Sequence, residues 1–145
     1  MPESTVTPGP REVFERVRRH WLENLGGFGG ELAEDVVIEV PFAPPGRASR
    51  YEGKEAFLLF ADPEQAAFAQ RFALDEARDV VVHETTDPEV IVVEYELAGR
   101  VLATGRQASS RFIGVLRVRD GKIVNWREYQ NTLAMIEIMG QPDRT

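Results

Sequence analysis

The stretch Gly114-Val115-Leu116-Arg117-Val118-Arg119-Asp120-Gly121-Lys122-Ile123-Val124-Asn125-Trp126-Arg127-Glu128-Tyr129 decides the fold. Its arms carry β-branched and aromatic residues, and Asp120-Gly121 between them is a strong signal for a tight hairpin turn. Two antiparallel strands are expected, over 106–119 and 122–129. On the second, Trp126, Glu128 and Gln130 share one face, while Ile123, Asn125, Arg127 and Tyr129 share the other.

Working outward, Val90 to Leu97 reads as another strand, with Ile91, Val93, Tyr95 and Leu97 on one face. Thr86-Asp87-Pro88 is a turn, and Val80 to Glu84 closes the strand before it. Val13, Phe14, Val17, Trp21 and Leu25 recur at helical spacing behind Pro10, which suits a first helical turn. Gly26 to Gly30 stops that helix with four glycines. A strand is expected over Val36 to Val40, ended by Pro41, and then a loop from Phe42 to Arg50. Glu52 to Phe60 reads as a second helix, and Asp62-Pro63-Glu64 as the opening of another. Asn131 can cap a last helix through Met139, with Gly140 as its stop. Helices set apart from an antiparallel sheet define the α+β class. One domain spans 11–140, between a polar, proline-rich tail over 1–10 and a short tail over 141–145.

Composition narrows the chemistry. The 145 residues include no cysteine, which removes disulfides and thiolate metal sites. With only two histidines, His20 and His83, a three-histidine zinc site cannot form within one chain. The net charge of −7 is spread along the chain, whereas nucleic acid and anionic membranes reward a basic face. No apolar run approaches the roughly 20 residues that span a bilayer. A soluble cytoplasmic protein without metal or cofactor is expected. The Gly26–Gly30 segment lacks the lysine and hydroxyl that a phosphate loop requires.

The hairpin above resembles the terminal hairpin of SnoaL-like proteins and limonene epoxide hydrolase. Ala33-Glu34-Asp35-Val36-Val37-Ile38-Glu39-Val40-Pro41-Phe42 and Tyr51-Glu52-Gly53-Lys54-Glu55-Ala56 match two further stretches of the same pattern. The resemblance runs from about Val13 to Met139 and places the chain in the nuclear transport factor-2-like superfamily. It implies a cystatin-like cone: a curved antiparallel sheet wrapped around three main helices, enclosing a pocket. It also implies a homodimer paired through the sheet.

The same resemblance sets the candidate site. The positions of Trp126 and Glu128 match a tryptophan and a catalytic carboxylate that the hydrolase aims into its pocket. A carboxylate beside an indole in an apolar hollow loses hydration, so its pKa rises toward neutrality. Such a group can exchange protons at working pH. The hydrolase's arginine and second aspartate fall at Tyr95 and Leu97, so its residue set is incomplete. The base, the proton-sharing aspartate and the tyrosine of ketosteroid isomerase fall at Val40, at Gly114 and near His20, and that set is incomplete too. Polyketide cyclases of the group need less: the resemblance implies one acid–base carboxylate and a pocket that folds the substrate.

Glu128 is therefore the candidate acid–base, with His20 as its polar helper. Trp126, Tyr95, Leu97, Val40, Glu39, Phe112, Gly114, Trp21 and Val17 are the candidate pocket lining. Whether Glu39 or Val40 faces inward stays open, because a one-residue slip exchanges faces. Each candidate also has a structural reading: Glu128 paired with an arginine such as Arg111, His20 satisfied in the core, Tyr95 simply packed. Three functions remain: a cofactor-free cyclase, isomerase or dehydratase-like enzyme, a non-catalytic binder of a small hydrophobic molecule, and a dimeric module whose cavity Trp126 and Phe112 fill.

Overall fold

The computed structural model describes residues 6–23 and 28–139. Leu25, Gly26, Gly27, the stop at Gly140, the first half of the expected N-terminal tail and all of the expected C-terminal tail lie outside the described residues.

Helix α1 (Pro10–Glu23) starts at the proline and buries Val13, Phe14 and Val17. A 3-10 turn (Gly29–Glu31) leads into strand β1 (Leu32–Glu39). Next come β2 (Arg50–Glu52), helix α2 (Lys54–Arg71) and the meander β3 (Phe72–Glu84), β4 (Val90–Val101), β5 (Gln107–Arg119) and β6 (Lys122–Gln130). Helix α3 (Thr132–Met139) closes the described chain, capped by Asn131, whose Oδ1 accepts the Ala134 N–H at 3.1 Å.

The six strands form one curved, unclosed sheet in the order β2-β1-β6-β5-β4-β3. Together with three helices this is an α+β fold. The Asp120-Gly121 turn has positive φ at both residues, 52° and 77°, as a two-residue hairpin demands. One pairing falls outside the expected antiparallel pattern: β1 runs parallel to β6, with Ile38 opposite Trp126 and Glu39 opposite Arg127.

Three local expectations are corrected. Asp62-Pro63-Glu64 opens no new helix, because α2 runs through Pro63 unbroken. Proline lacks the N–H that would bond the carbonyl of Leu59, but Leu59 is 75% exposed, so water can take that place. Arg50, expected to end the loop, and Glu52, expected to open the second helix, belong instead to a three-residue edge strand on β1, too short to show a period, and α2 begins at Lys54. Ile123 does not share the face of Asn125. Arg117 pairs with Asn125 and Val118 with Ile123, which leaves Val124 as the extra residue of a β-bulge. The bulge turns Ile123 into the core, where it is fully buried.

The core lies between α1 and the concave face of the sheet. Val13, Phe14 and Val17 meet Val36, Ile38, Ile91, Val93, Tyr95, Phe112, Leu116, Ile123 and Trp126. Arg18 anchors the helix to the sheet by donating to the Ala77 carbonyl, at 2.8 Å from Nε and 2.6 Å from the second guanidinium nitrogen.

Candidate functional site

Strand register sets the inner face in rows. Ile91, Leu116, Trp126 and Ile38 form one, and Val93, Gly114 and Glu128 the next. Tyr95, Phe112 and Gln130 follow, then Leu97 and Ser110. Gly114 has a steric role in this layer. A Cβ there would stand 3.1 Å from the Leu116 Cδ1 atom and 3.2 Å from the Trp126 Nε1 atom. The missing side chain is thus the room into which the indole packs, beside Glu128. Trp126 and Tyr95 are almost wholly buried, and the rings of Phe14, Trp21, Phe28 and Phe112 close around them with centroids 5.4–6.4 Å apart.

This aromatic enclosure sets the state of Glu128. The residue as a whole is half-buried, but its carboxyl lies deep enough that desolvation lifts its pKa from 4.5 to about 7. Among the described residues none makes an ion pair or hydrogen bond with it. Arg111 lies instead near Asp79 at 3.5 Å and Glu96 at 3.6 Å. Burial also pushes the Tyr95 phenol well above its usual value, and the charge of Glu128 pushes it further. The two groups therefore sense each other, and Tyr95 stays a neutral donor.

Four buried side-chain atoms among the described residues lack a hydrogen-bond partner: Tyr95 Oη, Trp126 Nε1, His20 Nδ1 and Ser110 Oγ. Buried polar atoms are nearly always paired, so such orphans are positions a bound molecule can satisfy, and of the four Tyr95 is the one that senses Glu128.

The remaining candidates separate. His20 lies on the flank of α1 and turns Nε2 toward Glu31, at 3.7 Å. Glu39 is on the opposite face of the sheet, where Arg50 at 3.4 Å and Arg127 at 3.7 Å flank it and Asn125 donates to it at 3.1 Å. Ile38 opposes Trp126 on the inner side, which leaves Glu39 on the outer one, while Val40, half-buried, follows the end of β1 and belongs neither to the core cluster nor to the walls of the cavities described below. Val17 is solid core.

The hollow space lies one step from Glu128. A cavity of about 190 Å³ is walled by Trp21, Leu97, Ser110 and Phe112, with Phe68, Phe72, Met135 and Ile138 opposite. A second, of about 340 Å³, shares Phe68, Phe72 and Met135 with it and adds Arg47, Glu64, Arg71 and Gln130. Trp21, Leu97 and Phe112 thus line open space, whereas Trp126 fills the region beside Glu128. Ser110 and Phe68 were not among the candidates. Ser110 continues the inward alternation of Phe112 and Gly114, a signal that was legible, but Phe68 reaches the cavity only through the docking of α2. Among the described residues no group of three or more His, Cys, Asp or Glu side chains can hold a metal ion. No helix among them is long and apolar enough to cross a membrane.

A curved open sheet with helices over its concave face is the nuclear transport factor-2-like fold, shared with a protein of that class from Anabaena variabilis (TM-score 0.61 at 22% identity over 83% and 85% of the two chains). Within it, the chain belongs to the SnoaL-like domain family, whose pattern matches residues 9–126. An uncharacterized PhzA/B-like protein of Pseudomonas aeruginosa is 34% identical over 104 residues, covering 72% of this chain and 70% of that one. A Bacillus subtilis protein provisionally assigned as an isomerase superposes with a TM-score of 0.78 at 27% identity, over 90% of this chain and 91% of its own. A Pseudomonas putida protein provisionally assigned as a polyketide cyclase shares the fold, with a TM-score of 0.69 at 19% identity over 90% and 97% of the two chains.

Proposed function

We propose that this SnoaL-like domain is a cofactor-independent proton-transfer enzyme of isomerase or cyclase type, acting on a small hydrophobic carbonyl compound. One observation carries the reading: the Glu128 carboxyl is unpaired, desolvated and poised at about pH 7 beside the Tyr95 phenol. A carboxyl with that pKa is part carboxylate and part acid at neutral pH, the condition for both halves of a proton transfer. In the proposed cycle, the carboxylate takes a proton from the carbon next to the substrate carbonyl. The enolate oxygen that forms accepts a hydrogen bond from Tyr95, which has no other partner. The protonated Glu128 then returns its proton, to another carbon in an isomerisation or to the new alkoxide in an aldol closure. No oxidant or second reactant enters. The Bacillus subtilis relative's provisional assignment as an isomerase agrees with this class.

Substrate entry, in this reading, is through the apolar cavity. Phe112 and Trp21 line that space; Phe112 stacks on Tyr95 and Trp21 lies tilted against it, with centroids 5.5 Å and 5.4 Å from it, so one of these rings turns aside to admit the reacting carbon to Glu128. His20, beside Glu31, is a polar orienter at the edge. The reading includes a homodimer paired through the outer face of the sheet, where Ile113 and Val81 are exposed among charged residues.

The test is hydrogen–deuterium exchange at the α-carbons of a panel of small ketones in D2O. The protein should accelerate exchange for at least one, with a rate that rises as pH passes through about 7. Glu128→Gln should lower that rate by about 10²–10⁴-fold. An undiminished rate in the variant would sink the acid–base role.

A second reading is a non-catalytic binder of a small ligand. The packing of Trp126 and Phe14 next to Glu128 favours it, since it leaves open space only to one side. Saturable ligand binding without exchange in any ketone would establish this alternative.

A further inference from the structure

We infer that the cavity of about 190 Å³ is a seat for a single-ring ketone, anchored through its oxygen by the Ser110 hydroxyl. The inference rests on the reading above for the presence of a small apolar ligand, and it adds the ligand's size and its point of attachment.

The walls define the body of the ligand. Trp21, Phe68, Phe72, Leu97, Phe112 and Met135 offer ring faces and methyl groups. Such a surface selects an apolar body by shape and disfavours a charged one, because the guanidinium that lines it, Arg100, is already paired with Asp75 at 2.9 Å and 3.0 Å.

Ser110 defines the attachment. It is 8% exposed, the one polar residue among the buried residues described, and its Oγ has no partner. It pairs with Leu97 across β4 and β5 and precedes Phe112 by two on the same face, so it belongs to the cavity wall. A buried hydroxyl left unpaired is costly and is rarely kept without a use. A carbonyl oxygen placed in the cavity would accept its proton. Ser109 also borders the space, but it is exposed, so water satisfies its hydroxyl and it is not left unpaired.

Volume defines the ring count. A cavity of about 150 Å³ lined by aliphatic and aromatic side chains holds benzene. The space here, about 190 Å³, therefore takes one six-membered ring with a substituent of one or two heavy atoms. Three or four fused rings exceed it and would have to extend past Phe68, Phe72 and Met135 into the adjoining cavity. The site is thus matched to a monocyclic substrate, not to a steroid or a finished polycyclic skeleton.

The experiment is titration of the full chain carrying 13C-methyl methionine, read at the Met135 methyl group, which lines the cavity. The probes are cyclohex-2-enone, toluene and anthrone: one ring with a carbonyl, one ring without, and three fused rings. Expected are saturable shifts with the enone and with toluene, and none with anthrone. Ser110→Ala should raise the dissociation constant of the enone about tenfold and leave that of toluene within about twofold. Ala108→Leu, which fills the same space from β5, should abolish both. An enone affinity equal in the parent and Ser110→Ala, binding of anthrone as tight as that of the enone, or binding that survives Ala108→Leu would each overturn the inference. A Ser110→Ala chain that fails to fold leaves the decision to Ala108→Leu and anthrone. The two readings fail separately. Ketone exchange that persists without any Met135 shift overturns the seat alone, and enone binding intact while Glu128→Gln still exchanges overturns the acid–base role alone.

Discussion

Glu128→Gln replaces a carboxyl held at about pH 7 by a neutral group of nearly the same shape, and the consequence for stability can be worked out. Below about pH 4.5 the carboxyl is protonated in the folded and the unfolded chain alike, and the substitution has only its constant packing effect. Between about pH 4.5 and pH 7 the unfolded chain releases this proton while the folded chain keeps it. The folded state then binds more protons than the unfolded one, so stability falls as pH rises, by about 1.4 kcal/mol per pH unit. Across the interval from 4.5 to about 7 the loss amounts to about 3 kcal/mol, and above it the loss is constant. Glutamine carries no such proton. The variant should therefore gain on the parent through this window and level off above it, by about 3 kcal/mol or about 6–12 °C in Tm. Urea unfolding followed by tryptophan fluorescence, at steps from about pH 4 to about pH 9, measures the difference directly. Other titrating groups are common to both chains and cancel, and Tyr95 stays neutral throughout. A difference that is flat with pH, or that grows as pH falls, would refute the claim that desolvation sets the state of Glu128.

The inner layer and the outer face give two further tests. Gly114→Ala puts a methyl group against Leu116, Trp126 and Val93, which must shift by some tenths of an ångström. It should cost about 1–3 kcal/mol in chemical denaturation and displace the indole resonance of Trp126 in NMR spectra. An unchanged midpoint and resonance would mean that the glycine is not the space the indole needs. On the other side of the sheet, Ile113→Glu should turn the proposed dimer into a monomer in sedimentation velocity while leaving the thermal melt of the single chain intact. A parent that sediments as a monomer at high concentration removes the dimer from the reading.

Much of this architecture was legible because its signals are local. Asp120-Gly121 announces a turn that both residues complete with positive φ, and Pro10 opens its helix as proline does. The stripe Val13, Phe14, Val17 was readable because one helix face carries it, and Tyr95 because strict alternation with Ile91 and Val93 leaves one choice of side. What escaped reading depends on partners distant in the chain. Pro63 sits inside a helix because Leu59 faces water, and exposure is not written in the dipeptide. Val124 becomes a bulge only when β5 fixes its neighbours. The side of Glu39 could not be told until β6 paired with β1. The cavity itself is assembled from α1, the end of α2, three strands and α3, so no single stretch of sequence describes its wall.

The strand order carries a consequence for how the molecule comes into being. β6 is the last strand to leave the ribosome, yet it lies inside the sheet, between β1 and β5. Until it arrives, β2-β1 and β5-β4-β3 have no strand to join them, and the core lacks Trp126. Joining them requires a parallel contact across some ninety residues of chain, the kind of distant pairing that slows folding and exposes strand edges to neighbours. The strand that brings the acidic group is thus also the keystone, and a chain cut short before Lys122 forfeits the sheet along with the chemistry.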